Sequence, residues 1–346
     1  MASVTGTITI GGVSIRPGER ASIDLPVPSL STHAPMTMPL QVLHGRRPGP
    51  TLFVCAAIHG DEINGTEIIR RLLRQRGLRR LRGTLLAVPV VNVFGFISLS
   101  RYLPDRRDLN RSFPGSPHGS LAARIAHLFM SEIVGRSTHG IDLHTGAATR
   151  TNLPHVRANL NDEENLRLAR AFGAPVMLNA TNRERSLRHA AEAAGIPLLV
   201  YEAGEALRFD EIAIGAGVHG VVNVMRALGM LAASRSQRTK LVPALAQSAG
   251  WVRAPQSGIL RAPMRLGAHV AKGQTLGVVA DPFGENELEI VAHEAGIILG
   301  RTTLPLVQEG DALFHIVSPE RKSAAVTSLA TFEAEFDELD RRYKYG

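Results

Sequence analysis

An imidazole nitrogen and a carboxylate oxygen are both good donors to zinc, and a catalytic zinc usually keeps three protein ligands and one position for water. The segment His59-Gly60-Asp61-Glu62 supplies two such donors three residues apart. It directly follows the apolar, β-favouring run 52–58, so both side chains are expected to emerge together where a buried strand ends. A third ligand must come from elsewhere in the chain. The best candidate is His144 in Gly140-Ile141-Asp142-Leu143-His144-Thr145-Gly146, a second short β-like segment with a glycine close behind. Asp142 lies two residues before His144 and so on the same strand face, where it could accept a hydrogen bond from the ligand imidazole.

Positioning these groups requires an α/β scaffold, and the patterning from about residue 50 provides one. Strand-like runs at 52–58, 85–91, 139–144, 176–178 and 197–201 alternate with helical periodicity at 64–76, 120–134, 163–172, 186–194 and 210–231. Residues 93–119 lack helical periodicity and are rich in Gly, Pro, Asp and Arg; a loop of that length usually has a function. The stretch between His144 and about residue 160 also reads as irregular. Residues 1–48 read as a β-rich lead-in at an antiparallel edge, ahead of a catalytic domain spanning 49–235. Beyond a polar boundary near 232–250 the chain reads as an all-β module at 248–318. It has an approximate repeat, Ser257-Gly258-Ile259-Leu260 leading to Gly273-Gln274-Thr275-Leu276 and Ala295-Gly296-Ile297-Ile298 leading to Gly310-Asp311-Ala312-Leu313. This module resembles the barrel-sandwich of biotinyl and lipoyl carriers. The hairpin joining its halves, Asp281-Pro282-Phe283-Gly284-Glu285-Asn286-Glu287, has no lysine to carry a cofactor. Residues 319–346 are expected to form a charged helical tail.

The formal net charge of +8 raises the question of nucleic acid, but its make-up argues otherwise. Almost all the positive charge is arginine. The densest run, Arg70, Arg71, Arg74, Arg76, Arg79, Arg80 and Arg82, contains no aromatic residue on which a base could stack, so a solvated helix face is the expectation. No run approaches the roughly 18–20 apolar residues that span a bilayer. One cysteine excludes an internal disulfide framework, and Cys55, inside the apolar run, reads as an inert buried thiol. No secretory signal is evident, and a cytoplasmic location is expected. His118, His127, His155, His189, His219, His269, His293 and His315 lack ligand spacing and read as structural or exposed.

A His-x-x-Glu tetrapeptide occurs by chance in many chains, so the other motifs carry the weight. In order they are His59-Gly60-Asp61-Glu62-Ile63-Asn64-Gly65, Asp108-Leu109-Asn110-Arg111, Asp142-Leu143-His144 and Glu202-Ala203-Gly204. Together they resemble the succinylglutamate desuccinylase and aspartoacylase family, a branch of the carboxypeptidase-like zinc hydrolases, over about residues 50–230. The β module is similar to that of a deacylase subgroup. The resemblance implies a mixed sheet flanked by helices and one zinc ion per chain on His59, Glu62 and His144. It implies Glu202 as general base, ahead of its neighbour Glu205, and Asn110 and Arg111 as a clamp for a substrate carboxylate. It also implies an arginine before the second motif that polarises the scissile carbonyl. Arg101 and Arg106 are both candidates, Arg101 slightly preferred, and the loop here departs in length from that of aspartoacylase. The implied activity is hydrolysis of the amide of a small N-acylated amino acid or related amine. A carboxypeptidase acting on short peptides and a non-catalytic binding protein are the alternatives. No nucleic acid or membrane partner is expected, and a homo-oligomer would use the flanking β module as its contact surface.

Overall fold

The computed structural model of the chain describes residues 6–29, 31–233, 241–321, 325–334 and 336. Of the expected boundary at 232–250, residues 234–240 lie outside the described residues, as do 322–324, 335 and 337–346 of the expected tail; 325–334 are helical.

The alternation of apolar runs with amphipathic helices gives a twelve-stranded mixed sheet with helices on both faces. From one edge its strands run Arg20–Val27, Met36–His44, Arg82–Val88, Arg47–Ala56, His139–Gly146, Leu198–Glu205, Arg150–Ala158, Val176–Asn179, Ala244–Arg253, Ala312–Pro319, Gly296–Thr302 and His269–Val270. The four from Arg82–Val88 to Leu198–Glu205 are mutually parallel, and residues 52–58 are fully buried. This explains why the first apolar run does not alternate: both of its faces are interior. Leu52, Val54 and Ala56 pack under helices Asn64–Leu72, Glu163–Phe172 and Glu211–Ala227, whereas Phe53 and Cys55 face the opposite core beneath helix Leu121–Glu132. Ligand sites in such sheets form at the carboxyl ends of the parallel strands. His59, His144 and Glu202 all fall there.

The ends of several elements shift from the sequence reading. The helix from Asn64 stops at Leu72 and continues as a 3-10 turn, Arg76–Arg80. The long segment 93–119 contains a short helix, Val93–Ile97, capped by Asn92, and a 3-10 turn, Leu109–Arg111. The largest difference is the strand Arg150–Ala158, in a stretch expected to be irregular. Pro154 breaks a strand pattern because it has no N–H to donate. Here it sits at a changeover: residues 150–152 pair with Gly296–Thr302, and residues 155–158 pair with Val176–Asn179. The missing donor therefore falls where one partner strand gives way to the next.

The β module shares this sheet. Its first half places Gly258–Arg261 and Thr275–Ala280 in a separate four-stranded sheet and His269–Val270 in the large one. The second half reverses this, with Gly296–Thr302 and Ala312–Pro319 in the large sheet and Leu306–Val307 in the small one. Strand Ala244–Arg253 pairs with Val176–Asn179 at its start and with Ala312–Pro319 further along, so the ladder runs without interruption from the parallel strands into the module. Within the basic run, Arg70 and Arg71 pair with Glu67, and Arg71 also reaches Glu211 at 2.7 Å. Among the described residues no helix is long and apolar enough to cross a membrane.

One close contact sets the spacing of the central strands. A methyl group on Gly140 would fall 2.2 Å from the Phe53 ring and 2.7 Å from Leu198 Cδ1. Gly140→Ala should therefore cost about 1–3 kcal/mol of stability by overpacking, read as a lowered urea midpoint. Phe53→Leu in the same chain should recover part of the loss. An unchanged midpoint for the single variant would contradict this packing.

Candidate metal centre and active-site pocket

The chain turns sharply where strand Arg47–Ala56 ends. Ala57 adopts a left-handed backbone, φ 53°, which costs a non-glycine residue about 1–2 kcal/mol. Its carbonyl is held by Asn92 N–H at 2.9 Å. Gly60 then passes so close to helix Val93–Ile97 that a Cβ would lie 1.9 Å from the Gly95 carbonyl carbon. The turn closes with Glu62 N–H donating to His59 O at 3.1 Å, and His59 and Glu62 project together over the sheet end.

Glu62 is the centre of the resulting cluster. Its Oε1 accepts from His59 Nδ1 at 2.7 Å and from Arg101 Nη1 at 3.2 Å. Its Oε2 accepts from His144 Nδ1 at 2.7 Å and from the Thr145 N–H at 3.1 Å. The far nitrogen of each imidazole is held by a second carboxylate: His59 Nε2 donates to Asp108 Oδ1 at 3.2 Å, and His144 Nε2 to Asp142 Oδ2 at 2.8 Å. Both rings therefore present Nδ1 to one point and keep Nε2–H on a carboxylate, the arrangement that fixes tautomer and orientation of a ligand imidazole. One donor atom from each of His59, Glu62 and His144 lies within 4.8 Å of the other two, and all three residues are buried. Ligands at roughly 2.0–2.1 Å from a tetrahedral zinc are closer together than that limit requires, so the donor set fits a zinc ion in both chemistry and spacing.

The electrostatics agree with a cation site. Burial pushes Glu62 towards neutrality, but His59 and His144 outweigh it and hold its carboxyl well below the usual range. Burial pulls both imidazoles down; Glu62 with Asp108 raises His59 on balance, and Asp142 with Glu62 raises His144 well above its ordinary value. The Nδ1 edge of each ring thus faces the point where a divalent cation would bind, and binding there requires an Nδ1 that carries no proton.

Glu202 stands beside this cluster. It is the ladder partner of His144 across parallel strands and points to the same face of the sheet. Its Oε1 accepts from Arg157 Nη1 and its Oε2 from Asn152 Nδ2, both at 2.9 Å. Burial raises its pKa, but Arg157, followed by His155 and His144, brings it below the ordinary value, leaving a carboxylate at neutral pH.

A pocket of about 320 Å³ opens over the cluster. Its lining includes the candidate site residues His59, Glu62, Arg101, Asn110, Arg111, Asp142, His144 and Glu202, and leaves out Arg106 and the rival Glu205. Arg101 also binds Asp108 Oδ2 at 3.0 Å through Nη2. Arg106 is instead exposed, on a turn whose N–H donates to Leu103 O, with φ 61°. Asn110 Oδ1 accepts from Leu187 N–H at 2.9 Å, which leaves its Nδ2 as the donor, and Arg111 Nη1 binds the Asn110 carbonyl. Burial lowers the Arg111 pKa; Asp108 opposes this, and Arg183 and Arg101 add to it.

Asp108, which caps the turn Leu109–Arg111 and holds His59 Nε2, stands outside the pocket lining, and the sequence marks it only as part of its motif. Several lining residues are not singled out by the sequence. Asn152 and Arg157 lie on the strand that was read as irregular. His155 and His315, read as structural or exposed, both line the pocket, and Trp251 lies flat against His315 with ring centroids 4.6 Å apart. Burial pulls His315 down to about 4, with His155 and Arg157 adding to it, and burial also lowers His155. Both imidazoles are therefore neutral at pH 7. The pocket's charge comes from Arg101, Arg111, Arg150, Arg157, Arg183 and Arg188, against the carboxylates of Glu62, Asp142 and Glu202. It is a cationic pocket suited to an anionic substrate.

The chain is similar to known proteins over most of its length. The family profile of the succinylglutamate desuccinylase/aspartoacylase catalytic domain matches residues 48–228. The N-alpha-acetyl-L-2,4-diaminobutyric acid deacetylase of Halomonas elongata is 27% identical over 280 residues, 78% of this chain and 82% of that protein. A succinylglutamate desuccinylase/aspartoacylase from Rhodobacter sphaeroides superposes with a TM-score of 0.79 at 25% identity, covering 88% of this chain and 96% of the other. The ectoine utilization protein EutE (DoeB) from Ruegeria pomeroyi, in a product-bound structure, gives a TM-score of 0.78 at 27% identity over 86% and 95% of the two chains. With more than half its length matched by the family profile, the chain belongs to the succinylglutamate desuccinylase/aspartoacylase family.

Proposed function

We propose that the protein is a zinc-dependent amidohydrolase that removes a small acyl group from an N-acylated amino acid or related amine. The observation that carries this reading is the convergence of His59, Glu62 and His144 in a cationic pocket with Glu202 alongside. Support for a deacylase comes from the family and from the Halomonas deacetylase, which acts on an N-acetylated amino acid. His59, Glu62 and His144 would hold the zinc, which supplies a Lewis acid for the scissile carbonyl and lowers the pKa of water at the site.

The remaining steps belong to the side chains. Arg111 and the Asn110 amide bind the substrate carboxylate, the guanidinium matching it in two-pronged fashion. Glu202 takes the proton from the attacking water and later delivers it to the departing amine. Arg101, which stands beside Glu62 at 3.2 Å, donates to the carbonyl oxygen as negative charge develops on it. Arg157 and Asn152 hold Glu202 in place. We also read the C-terminal module as a barrel-sandwich of the biotinyl/lipoyl kind. Support comes from the exchange of sheets between its halves and the lysine-free hairpin, and its contribution here is pocket wall through Trp251 and His315.

Three outcomes are expected. Protein purified with one equivalent of zinc should release free amine from at least one member of a panel of N-acetyl, N-succinyl and N-formyl amino acids, and chelation should abolish the activity reversibly. Turnover of dipeptides alone would favour a carboxypeptidase instead. Arg101→Ala should lower kcat by about 10²–10³-fold, whereas Arg106→Ala should leave it within error; equal losses would remove Arg101 from the reaction.

The third outcome concerns pH. Arg157 is the leading influence that depresses the Glu202 pKa, so Arg157→Met should let burial raise it. Glu202 works as the carboxylate, and activity is lost as pH falls through its pKa. The acidic limb of the kcat/KM profile should therefore move to higher pH in the variant. A limb that stays in place would separate Glu202 from that ionisation.

A further inference from the structure

Asp108 and Asp142 hold the two imidazoles in the same way but with very different support. Asp108 is partly exposed and is itself gripped by Arg101 Nη2 at 3.0 Å and the Asn110 N–H at 2.8 Å, besides His59. Asp142 is 1% exposed. Among the described residues its hydrogen bonds come from two donors: His144 Nε2 to Oδ2 at 2.8 Å, and the Cys55 thiol to Oδ1 at 3.4 Å. Cys55 and Asp142 are ladder partners on adjacent parallel strands, so the two side chains face one another across the sheet. Cys55 is fully buried in the core beneath helix Leu121–Glu132, and Asp142, although it borders the floor of the pocket, is almost fully buried, so the contact between them has little access to water.

We propose that Cys55 is a positioning residue, whose S–H fixes the Asp142 carboxylate so that His144 keeps Nδ1 turned to the metal position. A buried carboxylate oxygen without a donor carries a large desolvation penalty, which the carboxylate escapes by rotating or by drawing His144 out of line. Burial, with the Asp142 charge adding to it, pushes the Cys55 thiol well above its ordinary pKa and keeps it a donor. The thiol that read as inert in the sequence thereby becomes the third member of a chain, Cys55 to Asp142 to His144, that ends at the metal. A serine would preserve that chain, whereas an alanine, smaller than cysteine, or a valine, larger by about a methyl group, would each cut it.

The inference rests on His144 being a zinc ligand, and the experiment separates the two. Zinc affinity of the purified full-length protein is measured by competition with a chromogenic chelator, alongside thermal melting. Cys55→Val and Cys55→Ala should each weaken zinc binding about tenfold, the lower end for loss of a group that orients a ligand, while Cys55→Ser stays close to the wild type. In an Asp142→Asn background, Cys55→Val should have no further effect on zinc affinity. Val88→Ala, at the ladder partner of Cys55 and equally buried, serves as the packing control and should lower the melting temperature without changing zinc affinity. Equal zinc affinity in wild type, Cys55→Val and Cys55→Ala would overturn the role of Cys55 and leave the zinc site standing. So would a serine variant as weak as the valine one. A wild-type protein that binds no zinc would overturn both.

Discussion

A single carboxylate, that of Glu62, holds the site together. It is 2% exposed, yet it must be ionised, because two imidazoles and a guanidinium all direct protons at it. Burying such a charge is expensive unless every lone pair is met. Four donors on three separate segments meet it here: the His59 turn, the end of strand His139–Gly146 with Thr145, and the loop carrying Arg101. The folding of those segments and the assembly of the site are thus one event. A metal ion placed among the same donors takes over the positive role that protons and Arg101 fill.

Around that centre the pocket separates its tasks by charge. The imidazoles away from the cluster, His155 and His315, are kept neutral by burial, so they shape the wall without adding charge. The positive potential comes from arginines, whose charge does not titrate near neutrality. Arg101, Arg157 and Arg111 sit beside Glu62, beside Glu202 and against the Asn110 carbonyl, so each has a structural anchor. Arg150 lies over the face of Trp251, 5.2 Å from the ring centroid, an anchor that restrains the guanidinium without neutralising it.

The parts of the site that were legible in the sequence are those where a chemical group and its positioning element are adjacent in the chain. His59 and Glu62 follow their strand directly, and Asp142 and His144 lie within theirs, so spacing makes them candidates, while their roles come from the resemblance carried by the four motifs together. Glu202 was legible as a motif, but its partners Asn152 and Arg157 were not, because they lie on a strand that contains a proline. A proline ordinarily argues against an interior strand, and only the change of pairing partner around Pro154 makes it tolerable; that is a fact of topology, outside the reach of local pattern. Arg101 and Arg106 could not be separated by spacing alone. The turn at Leu103–Arg106 faces one outward while the loop folds the other inward. Trp251 and His315 reach the pocket from far beyond Glu202 in the chain, through a ladder whose existence no local signal announces.

That ladder has a mechanical consequence. Domains joined by a linker can rock against each other, and many enzymes use such rocking to admit substrate and expel water. Here Trp251 and His315 sit on strands bonded, one after another, to the strands that carry Asn152, Glu202 and His144. The wall cannot swing away from those side chains without tearing main-chain hydrogen bonds. Entry and exit must be governed by individual side chains and surface loops at the mouth, and the width of the opening is set when the polypeptide folds.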